Sequence, residues 1–147
     1  MPTRPDVHDI VAGRLQTDGQ RYTGSRRKLV EILAHAGRPL SIPDVLAAEA
    51  ALPQSSVYRN LVVLEQAGAV GRLLAPDGAL YELAEGLRQH HHHLVCLSCG
   101  AVADVTLAAR SEQAIDRAVD EVAAATGFRP TGHRLDILGV CARCVAR

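Results

Sequence analysis

Through residues 24–36, GSRRKLVEILAHA, the apolar positions Leu29, Val30, Leu33 and Ala36 recur at helical spacing, and Gly37 and Pro39 stop the pattern. This predicts an amphipathic helix. The next stretch, SIPDVLAAEAAL, predicts a second helix. Ser41 and Asp44 have the spacing of a capping box, and Pro43 sits in the first turn, where its missing N–H costs nothing. A third helix is expected in SSVYRNLVVLEQAG, with Val57, Leu61 and Leu64 on its apolar face and Gly68 just past its end. AVGRLLAPDGALYEL then reads as two short strands joined by a turn at Pro76-Asp77-Gly78. Three helices followed by a hairpin is the order of a winged helix-turn-helix.

The pattern changes at AEGLRQ, residues 84–89, a short polar linker. Beyond it, HHLVC and GAVADV are strand-like, and residues 107–126 form a long amphipathic helix with Ile115, Val119, Val122 and Ala123 on one stripe, ended by Gly127. HRLDILGV, residues 133–140, alternates as a third strand. The expected organisation is therefore a winged-helix domain at 1–83, a hinge at 84–89 and a small α/β domain at 90–147, an α+β chain overall.

Composition adds little until it is localised. Aromatics are 3% of residues, so the cores must be built from Leu, Val, Ile and Ala. The formal net charge is zero, but Arg21, Arg26, Arg27 and Lys28 fall together with no acid among them, a candidate basic patch. No apolar run approaches the roughly 18 residues of a membrane span, and the opening MPTRPDVHDIV has no apolar stretch suited to a signal peptide. A cytoplasmic protein with no membrane partner is expected. Disulfides are rare in a reducing compartment, which turns the four cysteines toward metal.

Cys96, Cys99, Cys141 and Cys144 form two Cys-x-x-Cys knuckles separated by a long gap that has room for a helix and a strand. Two such knuckles suit a closed, tetrahedral structural Zn²⁺ site. The first knuckle follows a run of four histidines in QHHHHLVCLSCG, residues 89–100. If this run enters a strand, side chains alternate between faces. His91 and His93 then share one face and His90 and His92 the other, so one run can serve two metal sites. Glu82, Asp104, Asp116 and His133 are the candidate partners on neighbouring elements. Imidazole with carboxylate accepts Fe²⁺, Zn²⁺, Mn²⁺ or Ni²⁺ without selecting sharply. An enzyme is not expected. H-E-x-x-H is absent, no H-x-E precedes a Cys pair, and all four cysteines are already claimed.

Taken together, RYTGSRR, SSVYRNLVVLEQAGAV, YEL, HHHHLVCLSCGAVADV and GHRLDILGVCARC resemble the ferric uptake regulator family of metal-responsive repressors, in the right order from about residue 20 to the end. The resemblance implies a homodimer whose second domain is the dimerisation domain. It implies a structural Zn²⁺ on Cys96, Cys99, Cys141 and Cys144. A regulatory divalent metal, Fe²⁺ or Zn²⁺ ahead of Mn²⁺ or Ni²⁺, would lie on Glu82, His91, His93 and Asp104, with Glu85 as the alternative to Glu82. A second site would use His90, His92, His133 and a carboxylate of the long helix. Matching back from Gly127 places Asp116 there and implies about five extra residues near TLAARS. The sequence departs from many relatives at Pro39, where they carry a histidine. The zinc-type members' hinge cysteine is also missing.

For double-stranded operator DNA, the resemblance puts Tyr58 and Arg59 near the start of the recognition helix. Arg59 would reach guanine O6 and N7, and Tyr58 a thymine methyl or a phosphate. Ser55 and Ser56 would cap that helix and touch phosphate, Arg21 would enter the minor groove, and Arg26 would hold the backbone. The implied function is metal-dependent repression of metal-homeostasis genes. The alternatives are a peroxide-sensing regulator of the same family and a zinc-stabilised interaction module without sensing.

Overall fold

The computed structural model describes residues 6–147. Residues 1–5, which fall within the expected first domain and the stretch read for a leader, lie outside them. The chain divides into two compact units, the first ending at His90 and the second running from His91 to Arg147.

The first unit opens with a helix that the periodicity argument did not supply, α1 (Val7–Thr17), capped by the Asp6 carboxylate accepting from His8 N–H at 3.1 Å. Val7, Ile10, Val11 and Leu15 do keep helical spacing, but Gly13 interrupts the stretch with a poor helix former. Burial of Val11 and Leu15 in the core holds the helix. The expected first helix is α2 (Gly24–Ala36), capped by Thr23 and ended by left-handed Gly37. The second is α3 (Ile42–Ala48), shorter than its apolar pattern, and Ser41 and Asp44 make the reciprocal capping box. The third is α4 (Gln54–Gln66). Its N-cap is Pro53 with no side-chain cap, so Ser55 and Ser56 lie inside the first turn and do not cap it.

Strands β1 (Val70–Ala75) and β2 (Gly78–Leu83) pair antiparallel, with Val70 opposite Leu83 and Ala75 opposite Gly78, leaving Pro76 and Asp77 as a two-residue turn. The order of α2, α3, α4 and hairpin is the expected winged-helix order. Leu29, Val30, Leu61, Leu64, Val70 and Leu83 share one core with Val11 and Leu15 of α1. Each such side chain contributes about 1.5–3 kcal/mol relative to exposure. The polar stretch 84–89 is folded against this unit, since Leu87 belongs to the same core and Ala84 packs on it.

The second unit holds β3 (His92–Cys96), β4 (Val102–Val105), α5 (Ala109–Thr126), β5 (Asp136–Gly139) and α6 (Ala142–Val145). The sheet order is β4-β3-β5, with β4 antiparallel and β5 parallel to β3. A parallel pair needs a crossover, and α5 lies within the connection between β4 and β5. The stripe of α5 stays on the surface of the single chain: none of its residues is buried, and Val122 is 59% exposed. Phe128, Leu138 and Val140 are exposed as well. What the second unit buries is His92, His93, Val95 and Cys96, so polar and thiol side chains make up much of its interior.

Candidate metal centres and nucleic-acid face

The four thiols converge through the sheet. Cys96 ends β3, and the chain turns back with Gly100 N–H donating to the Cys96 carbonyl at 2.9 Å while Gly100 takes a left-handed φ. Pairing of Cys96 opposite Gly139 delivers the second knuckle, in which Cys141 caps α6 and Cys144 lies within it. All four sulfurs lie within 4.8 Å of one another, and Cys99 Sγ is 3.9 Å from Cys141 Sγ. Tetrahedral thiolates about 2.3 Å from zinc are about 3.8 Å apart, so the cluster fits the ion. No disulfide joins them. Backbone N–H groups of Cys141 and then Cys99 donate to Cys96 and lower its thiol to about 6. The Cys144 backbone N–H lowers Cys141. Cys144 is pulled down by Ser98, but the thiols of Cys141 and Cys99 outweigh this and leave it at about 11. A nest of N–H donors therefore favours thiolate at two of the four positions before any cation arrives.

The histidine run alternates as strand geometry requires. His91 and His93 lie together, ring centroids 4.9 Å apart and perpendicular. Their Nε2 atoms are 4.0 and 3.8 Å from one oxygen of Asp104, which β4 sets opposite His93. On the other face, His92 is 1% exposed and stacks on His133 at 5.4 Å. Its Nε2 lies 2.6 Å from Glu112 Oε1, and His133 Nε2 lies 3.6 Å from the other Glu112 oxygen. Within each set, the donor atoms lie within 4.8 Å of one another. Asp116 stands differently: it is 3.7 Å from His133 Nδ1 and two-thirds exposed, while Glu112, which the sequence pattern did not single out, reaches the Nε2 atoms of both rings. Glu112 and Asp116 are four residues apart on α5, on one face, so helical spacing alone admitted either.

Two further candidates belong to the first unit. Glu82 is buried on β2 and accepts from Arg88 Nη1 at 3.0 Å. Glu85 is paired with His90 Nδ1. Asp136, which no sequence pattern marked as a partner, places its Oδ1 3.1 Å from His93 Nδ1.

On α4, Val57, Leu61 and Leu64 are buried, while Tyr58 and Arg59 point outward, Tyr58 being about half exposed. Ser55 is exposed, and Ser56 Oγ accepts from Asn60 Nδ2 at 3.1 Å. Arg21 is exposed ahead of α2. Arg26 is engaged: its Nε donates to Asn60 Oδ1 at 3.0 Å, and its Nη1 donates to the Arg21 carbonyl and the Gln20 side chain. No helix among the described residues is long and apolar enough to cross a membrane.

Comparison with known proteins agrees with this layout. Residues 17–138 match the model of the ferric uptake regulator family. A ferric uptake regulation protein of Neisseria meningitidis serogroup A is 34% identical over 140 residues, covering 91% of this chain and 92% of its own. The peroxide operon regulator of Bacillus subtilis is 31% identical over 135 residues, 88% of either chain. Among solved structures, the ferric uptake regulator of Pseudomonas aeruginosa with manganese superposes with a TM-score of 0.70 at 28% identity, over 88% of this chain and 96% of that one.

Proposed function

The chain belongs to the ferric uptake regulator family and is a metal-dependent, DNA-binding transcriptional regulator, and we propose that it acts as a homodimeric, cytoplasmic, non-enzymatic repressor of metal-homeostasis genes. In this reading Cys96, Cys99, Cys141 and Cys144 hold a structural Zn²⁺. His91, His93 and Asp104 hold the regulatory divalent metal, with Glu82 as a further ligand. His92 and His133 hold a second metal with Glu112 in the place first assigned to Asp116, and His90 is the further ligand. The single observation that carries the reading is the alternation along one short strand. His93 sits with Asp104 and His92 with Glu112, so adjacent residues serve separate donor sets.

The uncovered apolar residues Val122, Phe128, Leu138 and Val140 support a second copy packed on the α/β unit. In the dimer, Tyr58 and Arg59 read base edges and Arg21 contacts the adjacent groove or phosphates. Leu87 anchors the first part of the stretch 84–89 in the core of the first unit, so the hinge between reader and dimerisation unit lies in the residues after it. When bound, a regulatory cation neutralises the carboxylates and ties their elements together. The metal-loaded dimer holds its two readers at half-site spacing, roughly one turn of DNA. Metal tightens DNA only as far as the DNA-competent arrangement binds metal more tightly.

The test is operator binding by fluorescence anisotropy during metal titration, with a chelator too weak to strip a Cys₄ site. Metal-independent binding would leave only the zinc-stabilised module. Asp104 beside two histidines also suits a peroxide-responsive iron site. Loss of iron-dependent binding after peroxide, with a 16 Da gain on His91 or His93, would select that variant.

A further inference from the structure

We propose that Asp136 is a positioning residue for the regulatory metal site, holding His93 in the tautomer that puts the imidazole lone pair on Nε2. The inference rests on the reading that His91, His93 and Asp104 hold that metal.

The sheet register makes the arrangement. β3 is the middle strand, and His93 is opposite Asp104 on antiparallel β4 and opposite Asp136 on parallel β5. Residues opposite one another in a sheet project from the same face, so three side chains form a row, carboxylate–imidazole–carboxylate. The imidazole, 6% exposed, turns its two nitrogens to different neighbours. Nδ1 is 3.1 Å from Asp136 Oδ1, a hydrogen-bond distance, and Nε2 is 3.8 Å from Asp104 Oδ1. An ionised carboxylate only accepts, so Nδ1 must carry the proton in this contact. In a neutral imidazole the lone pair is then on Nε2, the atom on the Asp104 side. Free histidine in water prefers the opposite tautomer, with the proton on Nε2, which cannot ligate through that atom. Asp136 thus selects the ligating form and makes the ring a stronger donor, the role a carboxylate plays behind a metal-bound histidine.

Asp136 is itself oriented. Arg134 Nη2 is 3.7 Å from its other oxygen, and the His93 N–H donates to the Leu135 carbonyl at 3.3 Å, which fixes the start of β5 against β3. The same strand runs on to Cys141. One element therefore orients a regulatory ligand at its beginning and leads to a zinc thiolate at its end.

The test uses the full-length, zinc-loaded chain. Long-range ¹⁵N–¹H spectra report imidazole tautomers without any regulatory metal, and the His93 signals are assigned by their loss in His93→Gln. His93 in the unsubstituted chain should be Nδ1–H. Asp136→Ala should shift it toward Nε2–H and weaken Co²⁺ binding at this site by about 10–100-fold, with a change in the cobalt d–d bands. Asp136→Asn, whose amide oxygen still accepts, should keep the Nδ1–H tautomer with an intermediate affinity, and it remains informative if the alanine variant folds poorly. Zinc content and circular dichroism should not change in Asp136→Asn. An unchanged tautomer together with Co²⁺ affinity within twofold in Asp136→Ala overturns the inference. If the unsubstituted chain takes up no Co²⁺ that His91→Ala removes, the reading of the site itself fails and the inference with it.

Discussion

Arg26 Nε donates to Asn60 Oδ1 at 3.0 Å, so the first turn of α2 is fastened to the middle of α4. The residue expected to clamp a phosphate is thus also part of the frame that holds the reading helix. Arg26→Ala should lower unfolding stability by about 1.5–3 kcal/mol, the usual range for a hydrogen bond with a charged partner. It should also weaken DNA binding on operator and scrambled sequences alike. Denaturant melts and anisotropy on both duplexes check this. Unchanged stability would mean that Asn60 does not depend on Arg26.

Arg59 is exposed on the same helix and carries no fold contact of this kind. Arg59→Ala should leave stability within about 0.5 kcal/mol and cost about 1–3 kcal/mol of operator binding if a bidentate guanine contact is lost. Its affinity for scrambled duplex should fall much less. Equal losses on both duplexes would make Arg59 a backbone contact.

The Cys₄ cluster should supply folding free energy of the order of 10 kcal/mol apparent, because the second unit buries few apolar side chains. Cys96→Ser or Cys141→Ser should give zinc-free, monomeric, poorly folded protein by sedimentation and circular dichroism. A zinc-free dimer with native spectra would contradict the structural role.

The two faces of the histidine run should separate in a metal titration. Replacing His91 and His93 together by Ala should abolish metal-dependent DNA binding in a folded protein. Replacing His90 and His92 should remove a different equivalent and act mainly on stability or on the affinity of the first site. On α5, Glu112→Ala should abolish that second equivalent, whereas Asp116→Ala, which touches only the far nitrogen of His133, should weaken it roughly tenfold. The reverse ranking of Glu112 and Asp116 would restore the original assignment.

Tyr22 links stability to alkaline pH. Burial first, then Glu31 and Asp6 against the opposing Arg27, raise its phenol to about 12. Its hydroxyl lies 2.6 Å from His8 Nδ1, between α1 and the start of α2. An unfolded tyrosine ionises near pH 10. The folded value is raised, so this contribution is fully present below about pH 10 and is lost as pH rises toward 12. Tyr22→Phe should flatten that part of the stability curve and remove the late step from an absorbance titration at 295 nm.

Local pattern alone determined a large part of this molecule. Helical spacing located α2 and α4, the Ser41–Asp44 capping box started α3, Pro76-Asp77-Gly78 turned the hairpin, and left-handed Gly127 ended α5. The period of two in a strand was enough to divide His91 and His93 from His92. Each of these depends on neighbours a few residues away, where backbone geometry leaves few options. Helix α1 had a readable stripe as well, but with a glycine inside it only burial of Val11 and Leu15 makes it a helix.

Tertiary structure decided the partners. Whether Glu112 or Asp116 meets the histidines depends on how far α5 is turned and slid against β3, and residues one helical turn apart look alike in sequence. Asp136 reaches His93 only because β5 pairs parallel to β3 in a register set 43 positions away along the chain. Arg26 becomes a fastener because α2 and α4 pack closely enough for its guanidinium to find Asn60 before solvent or phosphate does. Such contacts are set by packing and strand register across the whole unit, and no local spacing encodes them.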